Sequence, residues 1–197
     1  MGALRTPREK WVEEGLRALA EGGVDAVRVD ALAKRLGVTR GGFYGYFADR
    51  EALLAEMLDT WEHQSVDMEI DRVEQDSAAR DMDWLVGRFL QSADDVRPID
   101  LALRDWARRD RAIAERMRRV DNKRMQLARE MIGAFCSDPD DIEARALLAF
   151  CLAIGSAFLA ADHPGRNRAQ VVTRAAELIL AQPPRDPEKR AAASPAD

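Results

Sequence analysis

The twelve positions from Thr39 to Arg50 read TRGGFYGYFADR. They gather one hydroxyl, two guanidinium groups, two phenols and adjacent glycines, and the set contains no nucleophile paired with a base. Its chemistry is that of binding a polyanion. Arg40 can pair with a phosphate or span the O6/N7 edge of guanine. Thr39 offers a hydroxyl where the free amides of a helix N-terminus favour phosphate. Tyr44 and Tyr46 offer phenol hydroxyls to phosphate oxygens. Gly41 and Gly42 weaken a helix by roughly 0.5–1 kcal/mol each, so their presence asks for a reason. A slim leading face that brings backbone close to DNA is one. Phe47 should be core, and Phe43 either core or a contact to a thymine methyl. Taken singly, each residue has a plainer reading. The tyrosines could be half-buried aromatics, Thr39 only a helix cap, and Arg40 and Arg50 solvated charge.

The elements that must hold these groups follow from spacing. A first helix is expected from about Thr6 to Glu21, with Pro7 in its first turn, Val12, Leu16, Leu19 and Ala20 on one face, and Gly22-Gly23 as its stop. A short helix follows from about Val29 to Leu36, with Leu32 and Leu36 inward, and Gly37 breaks it. Thr39 can cap a third helix, about Thr39 to Tyr46. Two short helices joined by a glycine turn behind a longer one form a helix-turn-helix pattern. Asp49 is a plausible cap for a long helix from about Arg50 to Gln75.

The rest of the chain is also helical by pattern, with alanine at about one residue in six and no alternating β-branched run. Helices are expected over about Ala78–Val96, Ile99–Arg109, Arg111–Phe135, Ile142–Ala161 and Arg166–Ala181. Breaks fall at Arg97-Pro98, Ser137-Asp138-Pro139 and His163-Pro164-Gly165. From Pro183 onward the composition predicts a disordered tail. The fold class is all-α, with a helix-turn-helix head at residues 1–50, a helical regulatory and dimerisation part at 51–182, and a tail at 183–197.

Charge agrees with that division. The 197 residues carry a formal net charge of −5, which excludes a uniformly basic coat. Residues 1–50 hold nine Lys/Arg and seven Asp/Glu, so a mildly basic head stands on an acidic body. Two cysteines and two histidines cannot supply a four-ligand zinc site, and no metal or other cofactor is expected. The cysteine usage and the charged N-terminus suggest a cytoplasmic setting. The sixteen uncharged residues between Arg145 and Asp162 fall short of the about 20 that a spanning helix needs, so no membrane partner is expected. No phosphate loop, His-Glu-x-x-His, Gly-x-Ser-x-Gly or Cys-His pair is present, which argues against an enzyme.

Residues 23–54, GVDAVRVDALAKRLGVTRGGFYGYFADREALL, resemble the TetR family of bacterial transcription regulators. The resemblance rests on Leu32-Ala33, Gly37-Val38-Thr39, Arg40-Gly41, Tyr44, Tyr46, Phe47, and then Arg50, Glu51 and Leu53, in the family's order and spacing. It implies phosphate contacts from Tyr44 and Tyr46 and a phosphate clamp at Arg50. One departure stands out. The family's second helix begins with Thr or Ser, a cap; here that position is Arg28, which can touch phosphate but cannot cap. Asp30 in the same turn repels DNA unless it pairs with Arg28 or accepts from cytosine.

The resemblance further implies a homodimer on palindromic double-stranded DNA, regulated by a small-molecule effector, with repression as the default. The last two long helices would form a four-helix bundle across the two-fold axis, with Ala146, Ala149, Phe150, Ala153, Ala157 and Leu178 in the interface. An effector that is partly apolar would be lined by Trp61, Met68, Trp84, Phe89, Trp106, Met117 and Met125, although each could be plain core. The alternative is a helical adaptor whose helix-turn-helix serves only packing.

Overall fold

A computed structural model describes residues 7–75, 87 and 98–181, with the side chains of 66–75 and 157 excepted. Eight α-helices are described: α1 (Arg8–Gly22), α2 (Val29–Leu36), α3 (Arg40–Phe43), α4 (Arg50–Gln75), α5 (Pro98–Ala107), α6 (Arg111–Gly133), α7 (Pro139–Phe158) and α8 (Arg168–Leu180). A 3-10 turn, Val24–Ala26, joins α1 to α2. The described residues contain no strand. The expected helix over Ala78–Val96 and the tail from Pro183 lie outside the described residues.

Local signals set most boundaries. Gly37 adopts the left-handed region at φ 68°. Its N–H and that of Val38 return to the carbonyls of Lys34 and Ala33, which closes α2 with the paired bonds typical of a glycine-terminated helix. Asp49 Oδ1 accepts from the Ala52 amide at 2.8 Å and so caps α4. Asp110, Asp138 and Asn167 cap α6, α7 and α8 in the same manner. Ser137-Asp138-Pro139, expected as a break, is the start of α7. Asp138 is the cap and Pro139 opens the first turn, where its missing N–H costs nothing. Thr39 sits at the N-cap of α3 but makes no capping bond. That helix stops at Phe43 and runs on as turn through Tyr46.

The buried face of α1 differs from the expected one. Trp11, Val12, Gly15, Ala18 and Leu19 are buried, together with the carboxylate of Glu14, while Leu16 and Ala20 are only half-buried. Gly15 lets α1 lie against α4, since a Cβ there would stand 2.6 Å from Met57 Sδ. The head does not end at the start of α4. Trp11, Leu32, Phe43 and Phe47 share one hydrophobic cluster with Leu53 and Met57 of α4, Leu103 of α5 and Val120 of α6. A second cluster, around Ile132, Cys136, Ala146 and Leu180, joins α6, α7 and α8.

Polar side chains tie the body helices together. Asp100, almost fully buried, accepts from Trp61 Nε1 of α4 at 3.0 Å and from Arg124 of α6 at 3.2 Å. Arg104 grips Asp121 with both terminal nitrogens. Arg116 of α6 meets Asp59 and Glu62 of α4.

The small-residue stripe of α7 faces inward. Ala146, Ala149 and Ala153 are buried within a single chain, so they have almost no surface to give a second copy. Close approach of α7 to its own neighbours uses them instead. Phe150 is half-buried beneath the Arg104 guanidinium, 6.0 Å from the ring centroid. Leu147, Leu148, Phe158, Leu159 and Leu178 are each more than half exposed, and Cys151 is exposed beside Leu147 and Leu148. The side chain of Ala157 lies outside the described residues. Among the described residues, no helix is long and apolar enough to cross a membrane.

Candidate nucleic-acid interface

The recognition segment is anchored on one edge and bare on the other. Phe43 is completely buried, its ring packed edge-on against Trp11 with centroids 5.3 Å apart and stacked on Phe47 at 5.2 Å. Phe43 is therefore core, and a thymine contact from it is excluded by its burial. Thr39, Arg40, Gly41 and Tyr44 lie on the opposite, exposed edge. Arg40 Nη2 donates to Tyr44 Oη at 3.1 Å. That bond raises the guanidinium pKa above its ordinary value, so Arg40 stays charged. Arginine and phenol are presented to solvent as one unit.

The two glycines are not demanded by packing within the chain. A Cβ at Gly41 would find Thr39 Oγ1 at 3.7 Å, and one at Gly42 would find Trp11 Cζ2 at 3.9 Å. Both are ordinary contacts. Contacts among the described residues do not require glycine at either position.

Arg28 is exposed at the N-cap of α2 in extended conformation, with no capping bond. Its guanidinium reaches Asp30 at 3.2 Å, so the acidic residue in that turn is partly neutralised. Tyr46 is half-buried against the core, and its carbonyl accepts from Arg8 Nη1 at 3.0 Å. Arg50 departs from the expected clamp, because two of its donors are bonded to backbone carbonyls of the head.

Several supporting residues carry little signal in the spacing of the recognition segment. Arg8 binds the Glu56 carboxylate and lies over the Phe47 ring, 4.6 Å from its centroid. It thereby fixes the end of the recognition segment against α4. Arg35 pairs with Glu14 and with Glu21. Those bonds, to Glu21 first, raise its pKa and lock α2 to α1. The one available hint was Glu14 itself, a carboxylate inside the apolar stripe of α1, which needs a charged partner.

Of the residues expected to line an effector cavity, three of those described pack into one hydrophobic cluster. Trp61 and Met117 are buried in the cluster shared with the head, and Trp106 packs at its edge. They act as core where the head meets the body, because the short α5 brings α6 against α4. Met125 packs on the second cluster instead. Trp84, Phe89 and the side chain of Met68 lie outside the described residues.

A solvent-exposed helix edge bearing Thr, Arg, Gly and Tyr is thus set in a helix-turn-helix on an all-helical body. Residues 12–57 match the family described as bacterial regulatory proteins, tetR family. The chain thus carries the N-terminal domain of the tetR family. Solved structures of similar fold extend over nearly all of it. A transcriptional regulator from Rhodococcus sp. RHA1 is 21% identical, with TM-score 0.65, covering 89% of this chain and 94% of that one. The ketosteroid transcriptional regulator KstR2 of Mycobacterium tuberculosis is 21% identical, with TM-score 0.62, covering 91% and 95%. FadR from Bacillus subtilis, solved in complex with stearoyl-CoA, is 14% identical, with TM-score 0.63, covering 90% and 100%. Comparison with curated proteins finds no match.

Proposed function

We propose that the chain is a ligand-responsive transcription repressor that binds a palindromic operator as a homodimer and is released by a small-molecule effector. The observation that carries this is the bare edge of α3, where Arg40 and Tyr44 form an exposed pair beside glycines that internal packing does not need. In this reading Thr39, Arg40, Tyr44 and Arg28 meet phosphate or base edges, and Gly41 and Gly42 admit the duplex. Tyr46 contributes from the rim of the turn, and Phe43 holds the segment from beneath.

Residues 1–50 act as the reading head, 51–182 as the regulatory and dimerising part, and 183–197 as a tail. The exposed Leu147, Leu148, Phe158 and Leu178 support a dimer built on α7 and α8, since apolar side chains gathered this way mark an interaction surface. Two heads related by a two-fold axis read two half-sites one helical turn apart. Effector binding would act through α4, which is continuous from Arg50 into the body. Such an effector must bind the DNA-competent and incompetent arrangements with different affinity. Regulators of the same fold solved with stearoyl-CoA or named for ketosteroids support a partly apolar effector here.

The test is selection of bound duplexes from a random DNA pool by the full-length protein at low salt. Tyr44→Phe and Arg40→Ala serve as controls. The reading expects a palindrome that is enriched by the wild type and lost in the controls. A folded wild type that enriches nothing overturns it in favour of a helical adaptor whose helix-turn-helix is a packing element.

A further inference from the structure

Arg50 stands in the first turn of α4 with its guanidinium turned toward the head rather than outward. Its Nε donates to the Val27 carbonyl and its Nη2 to the Val24 carbonyl, each at 2.6 Å. Nη1 lies 3.7 Å from Glu51 Oε1, and only about a third of the side chain is exposed. The two carbonyls belong to the 3-10 turn and the residue just after it, the segment that feeds α2. That helix begins without a side-chain cap, because Arg28 holds the N-cap position and its own guanidinium is drawn to Asp30.

We propose that Arg50 is a positioning residue of the reading head. It clasps the chain entering α2 from the first turn of α4, and so replaces the missing cap as the device that fixes α2. Through the Gly37 turn, α2 sets where α3 sits. Only arginine fits this task, since two donors at fixed angles on a planar fork reach two separate carbonyls, whereas an ammonium presents one compact centre. The clasp also joins α4 to the helix-turn-helix by direct bonds, so a movement of α4 is handed to α2. The effect on DNA reading rests on the function proposed above; the clasp itself does not.

The experiment uses the full-length protein and the variants Arg50→Lys and Arg50→Gln. Amide hydrogen exchange is measured on the free proteins. Salt dependence of binding is measured on a 30-base-pair duplex of arbitrary sequence. The clasp predicts that the hydrogen-bonded amides of Ala26, Val27, Arg28 and Leu32 exchange roughly tenfold or more faster in both variants, the scale of a lost charge-assisted hydrogen bond, while α6 is unchanged. It also predicts a wild-type salt slope in both variants. A phosphate clamp predicts the reverse: unchanged exchange, and a slope about 0.9 smaller in Arg50→Gln. Either of those two results overturns the proposal. If neither variant folds, the Arg50 Nε–H resonance of the wild type decides. Slow solvent exchange, unmoved by added duplex, supports the clasp, and fast exchange or a shift on adding duplex overturns it. A wild type that ignores the duplex refutes DNA reading, and the exchange comparison still judges the clasp.

Discussion

Replacing Gly41 by alanine sets stability against DNA binding. The new Cβ would meet nothing closer than Thr39 Oγ1 at 3.7 Å, and the residue lies within a right-handed helix. With no clash to offset it, alanine gains the helix preference that glycine lacks, about 0.5–1 kcal/mol. For a chain of this size that raises the melting temperature by roughly 1–4 °C. On DNA the same methyl group enters a surface proposed to lie against the duplex. Overpacking of a tight contact costs about 1–3 kcal/mol, so affinity falls about 5- to 150-fold per head. Thermal unfolding by circular dichroism and anisotropy titration on the selected duplex, in one buffer and at one salt concentration, measure both. Unchanged affinity in the stabilised variant would refute the slim-face argument. A lowered melting temperature would refute the packing analysis on which it rests.

Three further outcomes are expected. Asp100→Ala removes the acceptor shared by Trp61 and Arg124 and leaves a buried indole N–H unpaired, so it should cost about 2–4 kcal/mol. Thermal unfolding at fixed protein concentration checks this, with Asp100→Asn, which keeps an acceptor, costing less. Glu143 is held below the usual carboxylate range by its hydrogen bond from Arg129. The pair's contribution is present above the ordinary carboxylate pKa and is lost as pH falls through Glu143's lowered one. A carboxyl NMR titration should show the depressed midpoint, and Arg129→Gln should restore it. Leu148→Glu and Leu178→Glu alter exposed positions and should weaken self-association in sedimentation equilibrium while the monomer stays helical. Ala146→Glu places a charge at a fully buried site and should unfold the chain instead.

Where sequence reading succeeded, one residue type had one physical use. Gly37 is followed by no plausible continuation of α2, and it takes the left-handed conformation that ends the helix. Asp49 precedes an apolar stripe and caps α4, whose limits Arg50–Gln75 agree with those read from periodicity. Reading was less exact where the same type serves two ends. The break expected at Ser137-Asp138-Pro139 is present, but α7 starts at Pro139 rather than Ile142, because Asp138 caps it. Alanines at three- and four-residue spacing allow close approach without saying to which neighbour, and the neighbours of Ala146 lie in the same chain. Tryptophan and methionine suit a cavity and a core equally. Trp61 and Met117 went to the core because α5 and α6 close over the head. A guanidinium's spacing cannot tell a phosphate from a carbonyl, which is why the direction of Arg50 was invisible.

The unequal burial of the two sulfur atoms has a practical side. Cys136 is enclosed and Cys151 is open, one helical turn from Leu147 on the face where a second copy is proposed to sit. The native chain therefore offers a maleimide dye a single quick target. Association would shield that target, and dilution would uncover it. The rate of dye uptake against protein concentration then reads out self-association in the unaltered protein, without any introduced handle.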